Sequence, residues 1–127
     1  MKDNGTDRDV ALSILSVINS IKDSLTAINA HLFSPYILTQ PVNATDIEIG
    51  DTATFTVSAA NISAYQWQYK GPNDTNWYSS THSGNTTATL SVVATESRYA
   101  VKFRCKLTGT DGTIVYTDEV QMIAPES

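Results

Sequence analysis

At Pro35 the spacing of apolar residues changes, and that change limits what this chain can become. Before it, from about Asp9 to Phe33, there is neither proline nor glycine, and apolar residues return every seven positions. After it, from about Ile37, they return every two, in short runs separated by Gly, Asn, Asp and Ser. A seven-residue period draws a stripe along a helix, whereas a two-residue period draws one face of a strand. The chain is therefore expected to be one helix followed by a β region. Pro35 disfavours helical geometry at Ser34 and sets the boundary. The predicted units are residues 1–34 and 35–127.

The helix has its own start signal. Thr6 or Asp7 is the expected N-cap, and Asp7 and Asp9 place negative charge where the helix dipole favours it. Ala11, Ile18, Leu25 and Leu32 form one seven-residue series, and Ile14, Ile21 and Ile28 form another three residues later. Taken as a and d, they make an unbroken seam. An amphipathic helix laid on its own domain is the plain alternative. Nothing polar interrupts a or d, however, and Ile at d with Leu or Ile at a favours three or four strands. A short parallel homotrimer is the expectation. Val10, Leu15 and Val17 widen the stripe near the N-terminus, and this patch is the predicted anchor to a larger assembly.

The β region alternates. In "AYQWQYK", Tyr65, Trp67 and Tyr69 share one face, and Gln66, Gln68 and Lys70 share the other. In "VKFRCKLTG", Val101, Phe103, Cys105 and Leu107 alternate with Lys102, Arg104 and Lys106. Phe55 and Val57 follow the same rule in "ATFTVSA". The apolar sets are expected inward, which makes Phe55, Val57, Trp67, Phe103 and Cys105 the predicted core. Further strands are expected at "ILTQP", "NWYSS", "TATLSVVA" and "TIVYTDEVQMI", with Asp111-Gly112 as a hairpin turn before the last. Trp77 and Tyr78 have two readings. They line the inner edge of a strand, or they form an exposed pair that stacks on a sugar.

"GDTATFTV", "YQWQY" and "ATLSVVATESRYAVKFRC" resemble bacterial and phage immunoglobulin-like domains, which occur in surface proteins and virion decorations. The resemblance spans about Ile37 to Ile123. With the helix, it implies a mainly β protein: an immunoglobulin-like β-sandwich preceded by one N-terminal α-helix in a short trimeric coiled coil. Trp67 then matches the core tryptophan of the third strand, and Cys105 matches the second cysteine of the intersheet pair. Val57 stands where the first cysteine would be. Phe103 replaces the corner tyrosine, and Tyr99 is the candidate substitute.

One cysteine excludes an intrachain disulfide, and Cys105 reads as buried and inert. His31, at a g position, and His82 stand apart, with no second Cys or His at metal-ligand spacing, so no metal or cofactor is expected. No catalytic constellation is present, and the expectation is a non-enzyme. A net charge of −5 disfavours a nucleic-acid partner. The polar, acidic "MKDNGTDRDV" is not a Sec-type signal, and no stretch is long enough to span a membrane. Asn4, Asn43, Asn61, Asn73 and Asn85 begin N-x-[ST] sequons, read as chance in an Asn/Thr-rich chain.

One electrostatic feature stands out. Lys70, Lys102, Arg104 and Lys106 are half of the eight Lys and Arg residues, and alternation puts them on one outer face. They read as solvated charges or as an attachment surface for an acidic partner or a host-surface glycan. The functional expectation is a bacteriophage head fibre or capsid decoration, made in the host cytoplasm and carried on the virion. The alternative is a bacterial surface adhesin or carbohydrate-binding module.

Overall fold

The structure, a computed structural model, describes the backbone of residues 4–126 and the side chains of 9–26 and 33–126. It comprises two compact units, Met1–Phe33 and Ser34–Ser127.

The first unit is the helix α1, Asn4–Phe33. It starts upstream of the expected cap, and Thr6 and Asp7 lie within it. Asn4, like Thr6 and Asp7, is a residue type that favours a helix start, and the helix takes the earlier signal. The helix ends at Phe33, one residue before Ser34-Pro35. Every described side chain of α1 is exposed, including Ala11, Ile14, Ile18, Ile21 and Leu25 of the seam. Val10, Leu15 and Val17 are exposed as well. The side chains of Ile28, His31 and Leu32 lie outside the described residues.

The second unit is a β-sandwich. Its strands are β1 (Tyr36–Thr39), β2 (Thr52–Thr56), β3 (Ser58–Ala60), β4 (Ile62–Lys70), β5 (Tyr78–Ser79), β6 (Thr89–Val93), β7 (Lys102–Gly109) and β8 (Ile114–Tyr116). One layer is made of the antiparallel pairs β1–β3 and β2–β6, and the other is the four-stranded sheet β5-β4-β7-β8. The run "ATFTVSA", expected as one strand, is two. Val57 still donates to Ala88 O at 3.0 Å on the β6 side, and from Ser58 the chain pairs with β1 instead. Next to the last strand, Ala44 bridges Met122 in parallel, which ties residues 44–47 to the C-terminal segment. This arrangement of strands is that of an immunoglobulin-like sandwich.

Alternation builds the core. Ala53, Phe55, Val57, Leu90 and Val92 from one layer meet Trp67, Phe103, Cys105 and Leu107 from the other, all buried. Phe55 is the contact point, with its ring centroid 5.4 Å from Phe103 and 6.5 Å from Trp67. Trp67 is fully buried, and its Nε1–H donates to Thr87 O at 2.8 Å, so no polar group is stranded with the ring. Phe103 has no hydroxyl to pin the corner. Tyr99 supplies one from the 3₁₀ turn Glu96–Ala100, donating to Ile47 O at 2.5 Å.

The last strand is irregular for a definite reason. Phe103 pairs with Val120 and Lys106 with Tyr116, which is three steps on β7 against four on its partner. The extra residue makes a bulge, and Thr117 turns inward there. Its Oγ1 accepts from Cys105 N at 2.8 Å and donates to Asp118 O at 3.0 Å, which replaces the missing ladder bond.

Burial pushes the Cys105 thiol up to about 12, while the bond to the Gln66 backbone pulls weakly the other way. The thiol is thus neutral and shielded in the native state. Iodoacetamide at about pH 8 is expected to leave native protein unlabelled and to label it fully in urea. Mass spectrometry reads the result, and rapid native labelling would place Cys105 at the surface. Reducing agent should leave the melting temperature unchanged.

Candidate ligand face

The four-stranded sheet has an outer face, and its register decides which side chains share it. On β4 and β7, Gln66 is opposite Lys106, Gln68 opposite Arg104 and Lys70 opposite Lys102. On β8, Tyr116 is opposite Lys106, and on β5, Ser79 is opposite Gln68. Directly opposed residues in an antiparallel pair point the same way, so all of these lie on one face. Four of the chain's eight cationic side chains are gathered here. The Lys70–Lys102 pair sets like charges against each other, an arrangement that lowers stability. Among the described residues, none of the four forms an ion pair with a carboxylate.

Arg104 is the centre of the face. Its guanidinium carbon lies 4.4 Å from the Trp77 ring centroid and 4.0 Å from that of Tyr116, so the cation is held between two aromatic rings. Its Nε–H donates to Gln68 Oε1 at 2.9 Å, which fixes rotation about the remaining bond. Lys70 Nζ approaches the Trp77 ring at 5.9 Å. Each such cation–ring contact contributes about 0.5–1 kcal/mol at an exposed site. Together they hold a long side chain that would otherwise sample many rotamers.

Trp77 and Tyr78 do not act as a pair. Tyr78 is opposite Tyr69 in the ladder, and their centroids are 5.8 Å apart on the inner side of the sheet edge. Trp77 immediately precedes Tyr78, so its side chain points to the outer face, over Arg104. The two sequence readings therefore divide between the two residues, and an exposed Trp77–Tyr78 stacking surface is not formed.

Sequence reasoning missed Tyr116. A two-residue Asp111-Gly112 turn would pair Tyr116 with Leu107 and point it inward. The hairpin instead has a three-residue loop, Thr110–Gly112, closed by Gly112 N to Gly109 O at 3.0 Å and Gly109 N to Thr113 O at 2.7 Å. Gly112 has φ +86°, the left-handed position that such a loop requires. That single added residue turns Tyr116 outward.

The ring of His82 is set edge-on to Phe103, and burial, then Arg98, lowers its pKa. Three of the sequon asparagines have local tasks. Asn43 Oδ1 accepts from Gln121 N, Asn61 holds φ +62° and donates to Ser34 O, and Asn85 donates to His82 O. Among the described residues, no group of three or more His, Cys, Asp or Glu is placed to hold a metal ion. No described helix is long and apolar enough to cross a membrane.

The fold and its outer face define an immunoglobulin-like domain with a cation–aromatic sheet surface. Comparison with solved structures returns the immunoglobulin domains 1–5 of Sidekick-1, at 14% identity and a TM-score of 0.49, covering 74% of this chain and 20% of that one. An engineered protein is also returned, at 13% identity and a TM-score of 0.36, covering 70% of this chain and 20% of that one. The chain thus spans about a fifth of the length of either. No family model matches the sequence. No curated protein matches it either.

Proposed function

We propose that this chain is a non-enzymatic assembly and display protein. In this reading α1 joins two further copies in a parallel homotrimer and holds three sandwiches on a larger particle. The particle we propose is a bacteriophage capsid, with the chain acting as a head fibre or decoration on the virion surface. The observation that carries the reading is the seam of α1. Ile14, Ile18, Ile21 and Leu25 are each more than half exposed, yet they follow an uninterrupted a/d pattern. Such a stripe is stable in water when sister helices cover it. A trimeric stalk suits the threefold and quasi-threefold positions of a capsid. Val10, Leu15 and Val17 extend the apolar surface beyond the seam, and they are the proposed anchor.

Light scattering tests the assembly directly. The full chain is expected to be a trimer and a chain starting at Ser34 a monomer. A monomeric full chain at high concentration would remove the stalk, and a tetramer would correct the number of strands.

A further inference from the structure

We infer that Arg104 is the reading residue of an anion-binding face, whose ligand is an acidic polysaccharide bearing carboxylate or sulfate groups. This goes beyond the display role and does not depend on the trimer. The rings of Trp77 and Tyr116 grip the guanidinium from 4.4 and 4.0 Å, and Gln68 takes its Nε–H. The two terminal nitrogens carry the remaining donors, and among the described residues no acceptor holds them. A planar fork fixed in this way matches two oxygens of one oxyanion, and the ordering is already done before the ligand arrives.

The same geometry excludes other ligands. Arg104 covers one face of each ring, so Trp77 and Tyr116 do not offer the clear paired platform that a neutral sugar or a nucleobase stacks on. Recognition passes to the guanidinium edge. Lys102, Arg104 and Lys106 stand about 7 Å apart along β7, a row suited to an extended ligand with repeated anionic groups. Lys70 faces Lys102 across the ladder, and a bound oxyanion between them relieves that repulsion. Gln66, Ser79 and Thr108 share the face and offer neutral hydrogen-bonding groups beside the cations, as the hydroxyls of a saccharide require. Four cations on a chain of net charge −5 make a local site rather than the broad basic field that a nucleic acid needs.

The test is calorimetric titration of the full chain at low salt. The probes are oligogalacturonate, dextran sulfate, unsubstituted dextran, poly-glutamate and oligothymidylate. The two anionic glycans are expected to bind and dextran to fail, while poly-glutamate and oligothymidylate bind more weakly than either glycan. Whether carboxylate or sulfate is preferred is read from the first two. Arg104→Lys keeps the charge but loses the fork, and it should weaken glycan binding roughly tenfold. Trp77→Leu keeps every charge and frees the guanidinium, and it should weaken binding several-fold, an effect that unspecific attraction would not show. Lys22→Gln removes a charge on α1 and should change nothing. Melting curves establish that each variant is folded. Three results would overturn the inference: no binding by either glycan, wild-type affinity in both Arg104→Lys and Trp77→Leu, or tighter binding of poly-glutamate or oligothymidylate. The last would assign the face to an acidic protein segment or a nucleic acid.

Discussion

Replacing Trp67 with Ala is expected to remove roughly 3–5 kcal/mol of folding stability, the range for deleting a large core aromatic. Trp67 sits fully buried between Phe55 and the β7 side chains, and it carries its own hydrogen bond to Thr87 O. Deletion leaves a cavity and an unpartnered carbonyl together. A domain of this size has only about 5–15 kcal/mol in total. No disulfide supplements that, because Cys105 is free and Val57 stands across the core from it. Trp67→Phe restores a ring without the N–H donor and should cost less. Urea unfolding of the full chain, followed by circular dichroism, gives both values. A cost below about 1 kcal/mol for the Ala variant would mean that the core closes without this ring.

What the sequence disclosed follows from how local each feature is. The inward face of β4 and β7 was legible because both strands are long and regular, so period two reaches from Tyr65 to Tyr69 and from Phe103 to Leu107 without a break. The immunoglobulin-like class and the single N-terminal helix were legible for the same reason. Other features depend on pairing with distant segments. Nothing local in "ATFTVSA" marks Val57 as the place where the chain exchanges β6 for β1. The strand expected at "NWYSS" is only Tyr78–Ser79, too short for alternation to fix the parity of Trp77. Tyr116 turned on one loop residue, since a one-residue slip moves every side chain to the other face. The cationic set was readable as a face. The clamp on Arg104 was not, because its two rings come from the flanks of different strands.

The largest assembly effect should come from the seam itself. Ile14→Asn together with Ile21→Asn places two amides at successive d layers, where three copies of each would be buried among the apolar side chains of the flanking a layers. The full chain is expected to become monomeric. Most of the stability of an amphipathic helix comes from packing of its apolar face, so helicity should fall with the trimer and should no longer rise with protein concentration. Leu15→Ser with Val17→Ser alters e and g positions outside the seam and should leave the trimer intact. If the proposed anchor is right, this second pair is lost from purified particles while the sandwich remains folded. Charge reversal at Lys102, Arg104 and Lys106 should leave incorporation unchanged, because those residues belong to the displayed face. Loss of incorporation in the charge-reversal variant, with Leu15→Ser/Val17→Ser still incorporated, would invert the orientation. The sheet would then grip the particle, and the helix would project from it.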